Sequence, residues 1–220
     1  MKIIIANSNV IHRKIEKLCE EQFNACIVHT EDELRTNLVG NIDFIFFLHW
    51  SIIIPAQVYN SYNCIVFHMT DLPYGRGGSP LQNLIVRGHI ETKISALKVQ
   101  EGLDKGDIYL KKELSLLGTA EEIFIRAGKI MFDMIKEIIN NKITPAPQIG
   151  EPVFFKRRKP EDGNLYSCGT LEEIFRCIQM LDAEGYDPAF IETEGFRLEF
   201  TRASLKTDKI LADVKIMMKK

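Results

Sequence analysis

Four short apolar runs constrain this chain more than any other feature. Residues 2–6, 26–29, 42–48 and 64–67 are too brief for helices, are bounded by turn or polar residues, and read as strands, with 42–48 apolar enough to be covered on both faces. After the first of them Ile11, Ile15, Leu18 and Gln22 fall at helical spacing, which predicts a helix over about 10–21. Residues 31–38 read as a short charged helix. Strands alternating with helices of this length predict an α/β fold, a doubly wound Rossmann-like parallel sheet with right-handed crossovers. The turn after the first strand, A-N-S-N-V-I, lacks G-x-G-x-x-G, so a dinucleotide cofactor is not expected.

Further along, 92–99 and 107–114 read as two more strands, and Thr119 with Glu122 forms a capping box. That box opens a long helix to about residue 140, with Ile123, Ile130, Met134 and Ile138 on one apolar face. Prolines and polar residues over 141–147 make a connection. Thr170 and Glu173 form a second capping box, and the runs Y-D-P-A-F-I-E, G-F-R-L-E-F-T-R-A and K-I-L-A-D-V-K-I read as three strands. Taking Asp162 and Gly163 as the boundary turn divides the chain into a main domain, 1–160, and a small α+β subdomain, 161–220.

Hydrophobic residues at 45% and charged residues at 26% place the chain among ordinary globular proteins and exclude disorder. Cys19, Cys26, Cys64, Cys168 and Cys177 are scattered without a C-x-x-C pair, so neither a disulfide framework nor a metal site is expected. No basic leader precedes a long apolar stretch, and no run nears the eighteen or so apolar residues of a membrane span. A cytoplasmic location without membrane contact is the expectation. The net charge of −2 gives no case for a polyanionic partner, and the segment 161–220 holds 8 basic against 12 acidic residues. Nucleic acid is therefore not favoured as a partner.

The chemistry concentrates in C-I-V-F-H-M-T-D-L-P-Y-G-R-G-G-S-P, residues 64–80. The strand delivers His68 to its end, where open α/β sheets carry their sites. Asp104, in the glycine-flanked loop E-G-L-D-K-G-D-I, is the expected partner, since a carboxylate orients a histidine that works in either protonation state. The loop glycines mark positive φ or close approach to a ligand, and their N–H groups are candidates to stabilise an oxyanion. Arg76 is placed for a bidentate contact to a phosphate or carboxylate, or for structural pairing. Ser79 and Pro80 read as the cap and first turn of a helix to about residue 88. His12, His29 and His89 read as structural.

These two loops resemble the signature of the 10-formyltetrahydrofolate-dependent formyltransferases, roughly N-x-H-x-S-x-L-P-x-x-R-G-x-x-P followed by D-x-G-D. The match falls at His68, Leu72, Pro73, Arg76, Gly77, Pro80, Asp104, Gly106 and Asp107, with Thr70 replacing the serine. The resemblance implies the formyltransferase fold and a formyl group moved from 10-formyltetrahydrofolate, leaving tetrahydrofolate. The short acidic tail makes the chain most similar to the nucleotide-sugar N-formyltransferases, implying a nucleotide-linked amino sugar as acceptor. Formylation of methionyl-tRNA, or folate or sugar-nucleotide binding without turnover, are the alternatives, and a homodimer stays open.

By the same resemblance His68 and Asp104 are catalytic. Trp50, Ser51 and Ile52, together with Thr70 and Leu72, would wall the folate, and Gln100, Glu101, Gly102 and Leu103 would close over it. Trp50 reads equally as a core residue. Arg76 and Tyr74, with Lys156 and Arg157, would meet the acceptor; the basic run 156–158 reads otherwise as a solvated edge. One departure stands out: Val66 occupies the position of the family's catalytic asparagine. Asn63, brought round by a bulge, or Thr70, Asn83, a backbone amide or a water would then supply the missing polar contact.

Overall fold

The computed structural model describes residues 1–219. Strands β1 (Ile3–Ala6), β2 (Cys26–Val28), β3 (Phe44–Phe47) and β4 (Cys64–His68) lie parallel to one another, in the order β2-β1-β3-β4. The two-residue β5 (Arg76–Gly77) follows outside this sheet, which is completed by β6 (Glu91–Lys98) and β7 (Ile108–Ser115). Both of these run antiparallel, with His68 opposite Ser95. The parallel expectation therefore holds for the first four strands and fails for the last two. Nine residues join β6 to β7, too few for the crossover that parallel neighbours need.

Alternation along these strands divides the core. Ile3, Ile5, Phe46, Ile65 and Phe67 face one side, where they pack with Ile15 and Cys19 of α1 (Arg13–Phe23) and with a long helix. Ile4, Ala6, Ile45, Phe47 and Cys64 face the other, against Leu34 of α2 (Glu31–Asn37) and Val58 of α3 (Ala56–Ser61). The helix expected over 10–21 begins instead as a 3-10 turn, Val10–His12, and α1 runs on to a left-handed Asn24, φ 51°. The short α3, begun after Pro55, carries no apolar periodicity long enough to announce it.

After β4 the chain forms α4 (Pro80–Val86), and after β7 the long helix α5 (Ala120–Asn141). Thr119 and Glu122 close a complete capping box on α5. Ser79 is not the expected side-chain cap of α4: it takes φ 50°, and its hydroxyl accepts the Arg158 N–H at 3.0 Å. The second sheet pairs β5 with β8 (Phe154–Phe155). Beyond it, α6 (Leu171–Leu181) packs on the antiparallel sheet of β9 (Ala189–Glu192), β10 (Phe196–Leu205) and β11 (Ile210–Met218). Among the described residues no helix is long and apolar enough to cross a membrane.

Candidate active site

β4 ends in His68 at the carboxyl edge of the parallel strands, where the sheet turns to its antiparallel half. The side chain is 8% exposed. Its Nε2 lies 2.8 Å from the Gly75 carbonyl, which only accepts, so Nε2 carries a hydrogen. That leaves Nδ1 facing the Asp104 carboxylate, 3.7 Å from Oδ2. Asp104 holds φ 51°, left-handed backbone that L residues seldom adopt, and its Oδ2 accepts the Gly77 N–H at 2.9 Å. Two residues 36 apart in sequence thus face one another through a loop that ties them both.

The loop itself is fixed by β8. Gly75 and Arg76 donate their N–H groups to the Val153 carbonyl at 2.9 Å each, and Gly78 donates to Phe155 O at 3.3 Å. At Gly77, φ 114°, a Cβ would stand 2.3 Å from the Phe155 carbonyl oxygen, so only glycine fits. With Gly77 bonded to Asp104, all four amides of G-R-G-G are engaged. The expectation that they stabilise an oxyanion is corrected: Val153, Phe155 and Asp104 take them.

The expected substitutes for the absent asparagine fare no better. Asn63 accepts from the Tyr109 hydroxyl at 2.9 Å, at the opposite end of β4 from His68. Asn83 directs its amide to the carbonyls of Gly78, Ser79 and Lys156. Thr70 is fully buried, its hydroxyl 3.5 Å from the Gly75 carbonyl that His68 already uses. Val66 itself pairs with Phe47 and Leu97 and packs against the buried cluster that includes Ile45, Phe47, Val58 and Cys64.

Leu72 and Thr70, expected on the folate wall, stand behind the loop instead, 1% and 0% exposed. Both are drawn inward by Ser95, whose hydroxyl donates to Thr70 O and accepts the Leu72 N–H. Trp50 is half-buried edge-on to Phe47, with ring centroids 5.7 Å apart. Ser51 and Ile52 are exposed beside it, as are Gln100, Glu101, Gly102 and Leu103. Next to these segments a polar cavity of about 490 Å³ opens between α3 and the loop after β6, lined by Ala56, Tyr59, Asn60, Val99, Gln100 and Glu101 among others.

On the acceptor side Arg76 donates through Nε and Nη2 to Gln148 Oε1, at 3.2 and 2.8 Å. The Gln148 amide nitrogen donates in turn to the carbonyls of Asp104 and Gly106, at 2.8 and 2.9 Å. The sequence carries no local signal for Gln148, because every partner lies 42 or more residues away. Tyr74 turns its hydroxyl to His89, 3.2 Å distant, and its ring edge-on to Phe155. Lys156 and Arg157 are exposed, with the Arg157 side chain against Gly78. Burial, and secondarily the Arg157 charge, pushes His49 down to about 4. Burial, and secondarily His49, pushes His12 down to about 3.

The fold and this pairing define an α/β protein that holds a histidine and a carboxylate, tied by a glycine-rich loop, at the carboxyl edge of its parallel strands. Residues 7–125 match the Formyl transferase family model, and residues 160–217 match that of the methionyl-tRNA formyltransferase C-terminal domain. The chain belongs to the formyl transferase family.

A methionyl-tRNA formyltransferase of Ehrlichia ruminantium (strain Gardel) is 30% identical over 181 residues, 80% of this chain. The chain spans 58% of that relative's length. The solved methionyl-tRNA formyltransferase of Clostridium thermocellum is 50% identical, with a TM-score of 0.92 and full coverage of both chains. A sugar N-formyltransferase from a Shewanella species is 14% identical, with a TM-score of 0.65 over 88% of this chain and 93% of its own, and shares the fold alone.

These findings overturn the nucleotide-linked amino sugar as acceptor and the disfavour shown to nucleic acid. The acidic tail misled because a segment's net charge averages over its whole surface. Within 161–220 Arg176 reaches Gly88 at the end of α4, and outside that segment Arg157 lies against Gly78 just before α4, so local basic groups stand near the loop whatever the sum.

Proposed function

We propose that this protein transfers a formyl group from 10-formyltetrahydrofolate to the amino group of methionyl-tRNA. The observation that carries the reading is the likeness to the Clostridium thermocellum methionyl-tRNA formyltransferase, 50% identical over the whole of both chains. The donor supplies an activated formyl group on nitrogen. The residues beside the cavity suit a flat heterocycle: Ile52, Ile53 and Leu103 offer exposed apolar side chains, 39%, 89% and 62% accessible. Among the described residues the backbone N–H and C=O of Ile52 and Ile53 make no hydrogen bond, which leaves them for a ring's polar edge.

Each protein group then has one task. Asp104, anchored through Oδ2 by the Gly77 N–H, keeps Oδ1 for the proton that the attacking amine must lose. His68 donates to the Gly75 carbonyl through Nε2, so its Nδ1 accepts in the neutral ring and donates toward oxygen on which charge develops only as the imidazolium. In its imidazolium form that edge also faces the Asp104 charge. Arg76 is oriented through Nε and Nη2, leaving Nη1 toward the acceptor.

The test is release of tetrahydrofolate from 10-formyltetrahydrofolate with initiator methionyl-tRNA, beside a panel of nucleotide-linked amino sugars. Turnover is expected with the tRNA, and falls by about a hundredfold or more in His68→Ala and Asp104→Ala. Turnover with an amino sugar alone, or none with any acceptor, sinks the reading.

A further inference from the structure

The geometry points to Gln148 as the positioning residue that holds Asp104 in register with His68 and couples it to Arg76. Its amide bridges three groups from two loops: the Asp104 and Gly106 carbonyls accept from Nε2, and the Arg76 guanidinium donates twice to Oε1. Asp104 needs such a holder, because its φ of 51° is one that an L residue leaves unless its surroundings insist.

The loop meets three restraints. Gly77 N–H grips the carboxylate, Gln148 grips the carbonyl, and Gly106 is pressed so closely on Lys98 that a Cβ would stand 1.6 Å from its carbonyl oxygen. Gln148 is anchored in its own right: two residues before it, Ala146 exchanges both backbone hydrogen bonds with Ile108 at the start of β7. The amide suits the place, since it presents two donors to two carbonyls and one acceptor to a cation. A carboxylate at the same position would keep the arginine and repel both carbonyls.

The consequence for chemistry rests on the formyl-transfer reading above. Displacing Asp104 by an ångström leaves ligand binding nearly intact and costs turnover, because the proton acceptor is no longer in line. The experiment compares Gln148→Leu, Gln148→Glu and the control Ile149→Ala by hydrogen–deuterium exchange over 75–78 and 100–108, together with steady-state kinetics. Gln148→Met, which keeps the length of the side chain, carries the test should the leucine variant fail to fold.

In Gln148→Leu and Gln148→Glu, exchange at the Gly77 amide, whose acceptor is Asp104, is expected to quicken by about tenfold or more, while Ile149→Ala matches the wild type. In the same variants kcat falls by about a hundredfold, with KM for the formyl donor within about threefold. Adding Gln148→Glu, which keeps the Arg76 contact, to Asp104→Ala costs no further activity, the mark of a residue acting through another. Wild-type exchange in both variants overturns the proposal, as does full kcat in Gln148→Glu or a loss that adds to that of Asp104→Ala. Should the wild type turn over no acceptor, the formyl-transfer reading fails, and the exchange data alone decide whether Gln148 holds the loop.

Discussion

His68 meets a carbonyl through one ring nitrogen and a carboxylate through the other, and this division depends on atoms far from the ring. The nearest control is Gly77, the residue at which the loop, β8 and Asp104 all meet. Gly77→Ala should destabilise the protein by about 3 kcal/mol, from a methyl group driven onto the Phe155 carbonyl and from backbone that only glycine accepts there. Urea unfolding measures it, and an unchanged midpoint would mean that the loop yields. At this scale His68, Asp104 and Arg76 were legible, being chemically distinctive residues at fixed spacing. Gln148 was not: an amide just after a proline-rich connection has no pattern until the chain folds around it.

Among the elements, α5 shows what local chemistry can determine. Thr119 and Glu122 satisfy each other's backbone donors within four residues, so the start of the helix is written where it occurs. Thr119→Ala should lower stability by about 1 kcal/mol without altering the site, which chemical denaturation and folate binding would check together. Thr170 shows how the same pattern slips. Its hydroxyl accepts from Glu173 as expected, yet the Glu173 carboxylate takes the Gly169 N–H instead of that of Thr170. Ser79 departs further, because a distant backbone amide, Arg158 N–H, claims its hydroxyl before α4 can. Caps are readable when both partners are local and lose their meaning when a third competes.

Across the whole molecule, the loops after β1 and β3 meet α5 and the C-terminal region at a small aromatic cluster. His12 and His49 lie 5.8 Å apart, each ring against Phe124, which stacks on Tyr186. Both histidines are neutral in the fold, with proton affinities lowered to about 3 and about 4, whereas the unfolded chain takes up these protons near pH 6.5. Their stabilisation is therefore complete above about pH 6.5 and is lost as pH falls toward about 4, by up to roughly 1.4 kcal/mol per pH unit for each ring. Urea midpoints measured from about pH 7 to about pH 5 should decline, and less steeply in His12→Phe; a flat wild-type profile would refute it. By itself the sequence determined the order of the longer strands and helices, the capping of α5, the family signature and the pairing of His68 with Asp104, because periodicity, caps and reactive residue types act over a few positions. Only the tertiary structure decided that β6 pairs antiparallel with β4, that Val153, Phe155 and Asp104 take the loop amides, that Thr70 and Leu72 are buried against Ser95, and that Gln148 ties Asp104 to Arg76. Each of these is a hydrogen bond or a contact between residues more than twenty positions apart, and which of many chemically adequate partners is met depends on how the chain closes upon itself.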